Sequence, residues 1–98
     1  MDATIQEIKE RQANDDKDLV LLDVREGYER AEFNIGGMHI PLGELTASFE
    51  KLAPYKDDEI VIYCRSGKRS GMAAHLLQQA GFKNPRNLEG GMLAWQNS

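Results

Sequence analysis

Two apolar runs constrain this chain more than anything else in it. Leu19 to Val24 reads LVLLDV, and Ile60 to Tyr63 reads IVIY. A strand with one wet face alternates apolar and polar residues. A strand covered on both faces does not, and that is the condition of the central strands of a parallel sheet. The segments around these runs read as helices. Thr4 and Glu7 have the spacing of a capping box, and Ile5 and Ile8 share a face, so a helix is expected to about Gln12. Glu26 to Glu32 is a short charged helix, broken by Gly36-Gly37. Met38 to Ile40 is a short strand stopped by Pro41. Leu42 to Leu52 reads as one helix with Leu45, Phe49 and Leu52 along a side, ended by Pro54. Ser70 serves as the N-cap of a helix to Ala80 that lines Ala73, Leu76, Leu77 and Ala80 along one face. Asn87-Leu88 is a last short strand, and Gly90-Gly91 turns the chain into a terminal helical turn holding Trp95. Strands alternate with helices, which predicts an α/β domain around a parallel sheet with right-handed connections. Ninety-eight residues make one such domain, spanning residues 1–98.

The charge distribution narrows the function. The chain carries −4 in total, yet Ile60 to Leu88 contains Arg65, Lys68, Arg69, Lys83 and Arg86 with no acid, a net of +5. The remainder therefore sums to −9, and an acidic protein with one basic window is not built for nucleic acid. It is built to receive a small anion at one place. Lys83 and Arg86 read as solvated loop charges. No apolar run approaches the length of a membrane span. The start, Met-Asp-Ala-Thr, has no basic region and no apolar core of a signal peptide, which points to the cytoplasm. A mature periplasmic form would read the same. One cysteine and two histidines make a poor metal set, and no cofactor motif appears.

The decisive segment is Ile60-Val-Ile-Tyr-Cys-Arg-Ser-Gly-Lys-Arg-Ser70. Cys64 stands where a buried strand ends and a helix is about to begin, and ligands of open α/β sheets bind beyond the carboxyl ends of strands. A short loop around the sulfur turns backbone N–H groups inward, and the following helix adds its positive end. Arg65, Lys68 and Arg69 add formal charge. All three effects favour the thiolate, which is the nucleophile. Gly67 lets the loop turn tightly. A buried cysteine followed by a solvated basic turn is the bland alternative, and it does not explain three cations beside one thiol.

Cys-Arg-Ser-Gly-Lys-Arg-Ser resembles the active-site loop of the rhodanese family. Leu22-Asp-Val-Arg-Glu26, Ile35 to Leu42 with Gly37 and Pro41, and Leu88-Glu-Gly-Gly-Met-Leu-Ala-Trp95 resemble the family's other signatures, in the right order over nearly the whole chain. The resemblance implies a rhodanese-like fold, a five-stranded parallel sheet with helices on both faces. It also implies ping-pong transfer of sulfane sulfur from thiosulfate or a persulfide donor, through a Cys64 persulfide, to cyanide or a thiol. Carried onto this chain, Cys64 is the catalytic nucleophile, and Arg65, Ser66, Gly67, Lys68, Arg69 and Ser70 form the substrate-binding cradle. Asn34 stands where the family often has a histidine. The chain begins almost at its first helix, so the usual edge strand ahead of it is very short or absent.

Two other functions compete with sulfur transfer. Related folds place a cysteine in a cationic loop for phosphatase or arsenate reductase chemistry. Four residues separate Cys64 from Arg69 here, whereas cysteine phosphatases resemble one another in having five, and the smaller ring suits one sulfur atom better than a tetrahedral phosphate. The other competitor is a non-catalytic sulfur-carrier or protein-interaction module. Such modules tend to lose the cysteine, and this chain keeps it. A small exposed site suits small anions and protein thiols alike as partners. Asp23 and Arg25 at the strand end are expected to support the rim, Asp23 by fixing backbone and Arg25 by pairing with an acid. His75 reads as a surface residue and His39 as a strand residue with a satisfied hydrogen bond. Trp95 reads as core, with the edge of the pocket as its alternative place.

Overall fold

The computed structural model describes residues 2–98. Its elements run α1 (Ile5–Ala13), β1 (Leu21–Asp23), α2 (Gly27–Glu32), β2 (Met38–His39), α3 (Phe49–Leu52), β3 (Glu59–Tyr63), α4 (Lys68–Gln79), β4 (Asn84–Asn87) and α5 (Gly91–Gln96). The four strands form one all-parallel sheet in the order β2-β1-β3-β4. The strand expected ahead of α1 is reduced to a single bridge, Ala3 to Leu88, on the far side of β4. Among the described residues the sheet is therefore four-stranded with that one bridge, not fully five-stranded.

The two apolar runs form the centre of the sheet, β1 and β3, as their composition requires. Alternate residues feed opposite layers. Leu22, Ile60, Ile62 and Cys64 pack with Ala73 and Leu77 of α4 and with Leu45 and Leu52. Leu21, Val61 and Tyr63 pack on the other side with Ala3 and Ile8 of the α1 region and Met92 of α5. The period of two along a strand assigns each side chain its layer. It also puts Cys64 on the α4 side, facing the start of that helix.

Three local expectations change. Leu42 to Leu52 is not one helix: two 3-10 turns, Leu42–Glu44 and Thr46–Ser48, precede the single α-turn of α3. Gly43, Thr46 and Ser48 are weak helix formers, and the tightened turns still bury Leu45 and Leu52 completely. At α1, Thr4 Oγ1 accepts from the Glu7 amide at 3.1 Å, but the Glu7 carboxylate turns to Arg86 and Arg11 instead of closing the capping box. Arg86, read as a solvated charge, is 13% exposed at its side chain and joins Glu7 and Glu59 at 2.6 and 2.5 Å. Arg11 extends this network to Glu59 and Asp16, each at 2.7 Å. The cluster ties α1 to the amino end of β3 and to β4. Lys83 does remain a largely exposed charge, facing Asp57. No helix among the described residues is long and apolar enough to cross a membrane.

Candidate active site

Cys64 follows β3 directly, and its loop is held open by the neighbouring helix. The first amides of α5 donate back to it, Met92 to the Cys64 carbonyl at 2.9 Å and Leu93 to the Arg65 carbonyl at 3.0 Å. Gly91 makes this approach possible, because a Cβ there would lie 2.5 Å from the Cys64 carbonyl oxygen. With its carbonyls so engaged, the loop turns its amides toward the sulfur. Gly67, at φ +100°, completes the turn and caps α4. The Gly67 amide donates to Cys64 Sγ at 3.1 Å and the Ser70 amide at 3.4 Å, while the Ser70 hydroxyl lies 3.3 Å away.

These donors set the state of the thiol. Burial pushes the Cys64 pKa up, but the Ser70 hydroxyl and amide and the Gly67 and Ser66 amides outweigh it, so the thiol sits below its ordinary value. The positive end of α4 acts in the same direction. Hydrogen bonds dominate here, more than the three neighbouring cations. Arg69 is engaged elsewhere: its Nη1 and Nη2 donate to the two Glu29 oxygens at 2.7 and 2.8 Å. That guanidinium holds the Glu29 carboxyl down to about 2. Glu29 also accepts from the Glu26 amide at 3.0 Å, as half of the capping box of α2. Arg65 and Lys68 are exposed.

Beside the loop lies an open cavity of about 590 Å³, bounded by α2, the loop and α5. Arg65 and Arg69 contribute its cationic wall, Glu29 and Glu32 its acidic one, and Phe33, Met92 and Leu93 its apolar one. Cys64 itself is 1% exposed and does not line this cavity.

The fold agrees with the comparisons. The family model described as Rhodanese-like domain matches residues 4–98. This chain belongs to the rhodanese-like domain family. YtwF of Bacillus subtilis, a proposed sulfurtransferase, is 45% identical over 82 residues, covering 83% of this chain and 77% of that protein. A sulfurtransferase of Allochromatium vinosum is 37% identical over 82 residues, covering 83% of this chain and 75% of its own length. Among solved structures, the human single-domain sulfurtransferase TSTD1 superposes with a TM-score of 0.83 at 27% identity, covering 99% of this chain and 96% of that one.

In this rhodanese-like chain, the expected loop residues divide into two groups. Gly67 and Ser70 reach the sulfur, whereas the side chains of Arg65, Lys68 and Arg69 point to solvent, cavity or Glu29. Ser70 is buried inside α4 at its third position and is not the N-cap, which is Gly67. Its hydroxyl faces the thiol because the helix starts three residues earlier than the sequence implied. Asp23 and Arg25 support the rim as expected. Arg25 forks onto both Asp23 oxygens at 2.9 Å each and donates to the Phe33 carbonyl at 2.7 Å. His39 donates from Nε2 to the Arg25 carbonyl at 2.7 Å. His75 is exposed. Trp95 is half-buried against the α1–α5 layer and does not line the cavity.

Two site residues were missed by sequence reasoning. Asn87, at the end of β4, offers Oδ1 as the alternative acceptor to Cys64 Sγ for the single Ser70 hydroxyl proton, and donates from Nδ2 to the Gly67 carbonyl at 3.1 Å, bracing both ends of the sulfur ring. Glu29 holds Arg69. The signals for them were weak. Asn87 ends the last strand on the same rim as Cys64, and Glu29 sits one helical turn beyond Arg25.

Proposed function

We propose that this chain is a sulfurtransferase that carries sulfane sulfur as a persulfide on Cys64. The observation that carries the reading is the ring around Sγ: two backbone amides and one hydroxyl converge on the sulfur atom itself. Such donors favour the thiolate before reaction. They then favour the terminal sulfur of the persulfide, which is likewise a compact anion. The Cys64 thiolate attacks the outer sulfur of a donor such as thiosulfate. The S–S bond of the donor breaks, and sulfite leaves with the bonding electrons. In the second half-reaction an acceptor, cyanide or a thiol on a small molecule or a protein, attacks the outer persulfide sulfur and regenerates the Cys64 thiolate. The cradle is the segment Arg65, Ser66, Gly67, Lys68, Arg69 and Ser70, and no cofactor enters either step.

The ring also favours sulfur over phosphate. Its amides reach Sγ directly, so they are directed at one atom and not at the equatorial oxygens of a phosphoryl group. The test is intact mass after incubation with thiosulfate. Wild type should gain one sulfur atom, lose it on addition of cyanide and release thiocyanate, while Cys64→Ser gains nothing. A wild type that hydrolyses an aryl phosphate and takes no sulfur from thiosulfate would overturn the proposal.

A further inference from the structure

The arginine that closes the Cys64 loop is already occupied. Arg69 meets Glu29 through two short parallel hydrogen bonds, the geometry in which a guanidinium recognises a bidentate anion. Glu29 is only 11% exposed at its side chain and is fixed a second time by the Glu26 amide, so it does not swing away freely. Arg25, a second guanidinium on the cavity wall, is committed to Asp23. Of the cavity's three cations, Arg65 alone has no carboxylate partner among the described residues, and two carboxylates, Glu29 and Glu32, line the same cavity. The space is also far larger than an inorganic anion needs. About 590 Å³ falls in the range of pockets for organic ligands, and Phe33, Met92 and Leu93 line it together with the exposed ring of Tyr28.

We propose that Glu29 sets the donor specificity of this site: by holding Arg69, it disfavours the inorganic dianion and leaves a cavity suited to singly charged organic sulfane-sulfur donors. The inference rests on the persulfide reading above. Glu29 acts through Arg69 and through its own charge on the cavity wall, and so it is a specificity-determining residue outside the bond-making steps. An organic thiosulfonate reacts as thiosulfate does. The Cys64 thiolate takes the outer sulfur, the S–S bond breaks, and a sulfinate leaves with the electron pair in place of sulfite. The donor brings one negative charge instead of two, and a carbon group that the apolar wall accepts.

Methanethiosulfonate and thiosulfate form a near-isosteric pair for the test, since a methyl group replaces one charged oxygen. Both are assayed as donors to cyanide on wild type, Glu29→Gln and Glu29→Asp. Gln keeps an oxygen to accept from the Glu26 amide, so α2 stays capped while the charge is removed. The readout is the ratio of kcat/KM for the two donors, which does not depend on the fraction of folded protein. Glu29→Gln should raise kcat/KM for thiosulfate about tenfold through KM, the scale of one charge interaction at a partly exposed site, and change methanethiosulfonate less than about twofold. Glu29→Asp, which keeps the charge, should hold the ratio near that of wild type. Parallel changes for the two donors, or an unchanged or poorer KM for thiosulfate in Glu29→Gln, would overturn the specificity role while leaving persulfide chemistry in place. Failure of wild type to gain sulfur from either donor would overturn the sulfurtransferase reading and this inference with it.

Discussion

Strand β3 has a cluster of arginines at each end, and the two clusters are used in opposite ways. At its amino end Arg11 and Arg86 meet Glu7, Asp16 and Glu59, three carboxylates for two cations among the described residues. At its carboxyl end Arg65, Lys68 and Arg69 follow Cys64 in the loop, and Glu29 is their one carboxylate partner among the described residues. The first arrangement fastens α1 to β3 and β4 where the edge strand has dwindled to one bridge. The second leaves positive charge and backbone amides facing a cavity and a thiol. Charge count alone does not separate the two. What separates them is whether the rest of the fold returns enough carboxylates to close the cluster.

The largest expected effect tests the carboxyl end. Cys64→Ser should reduce sulfur transfer below about a thousandth of wild type, the scale on which losing a nucleophile acts. Its far-ultraviolet dichroism should match wild type, because the serine oxygen accepts from the same loop donors. Transfer that survives this substitution would make the loop an ordinary basic turn.

Next is the contrast between the clusters themselves. Arg69→Ala leaves Glu29 unpaired on the cavity wall and should lower transfer from thiosulfate by about tenfold to a hundredfold. Arg86→Ala should act on the fold instead. Breaking a fully buried ion pair costs about 3–5 kcal/mol, and the partial exposure of this network reduces the expected loss to about 2 kcal/mol. Urea melts together with transfer rates per folded molecule read both quantities. The comparison breaks if Arg86→Ala slows transfer at unchanged stability, or if Arg69→Ala destabilises as much as Arg86→Ala does.

The sequence revealed the sheet better than it revealed these clusters. Burial on both faces leaves a continuous mark, so LVLLDV and IVIY named β1 and β3, and Cys64 fell at the right strand end. Strand β4 reads Asn-Pro-Arg-Asn and carries no apolar signature, because it lies near the edge, where Arg86 covers its flank with ion pairs. The helix expected over 42–52 dissolved into tight turns because the positions between its apolar residues favour local turns over helix. At the site, the loop was legible because its residues are contiguous. Glu29 with Arg69, Glu7 with Arg86, and Asn87 with Ser70 join positions 40, 79 and 17 apart. Only the assembled sheet brings such residues together, and no local pattern records them.

A smaller effect separates hydrogen bonds from charge at the carboxyl end. Ser70→Ala removes the hydroxyl that helps hold the Cys64 thiol below its ordinary pKa. A depressed pKa keeps the thiolate present to lower pH, so losing a donor moves the midpoint up. Alkylation by iodoacetamide should slow by about threefold at neutral pH and match wild type well above the midpoint. An unchanged midpoint would return the stabilisation to the cations.

The smallest effect belongs to Lys68, and it decides whether the outer cations contact the donor or only attract it. Lys68 opens α4, is exposed, and has no side-chain partner among the described residues. Its ammonium therefore acts on an anionic donor through solvent. Such an interaction is weak, and it is screened over about 8 Å at physiological ionic strength. Lys68→Ala should lower kcat/KM for thiosulfate by less than about threefold at low salt, and the difference should vanish near about 0.5 M salt. Arg69→Ala should keep most of its loss under the same salt, because the Arg69–Glu29 pair is partly buried and lies against the cavity wall. If the Lys68→Ala loss persisted in high salt, Lys68 would contact the donor directly. The carboxyl-end cluster would then be a set of equal contacts, with no division between a buried ring of donors and an outer field that steers.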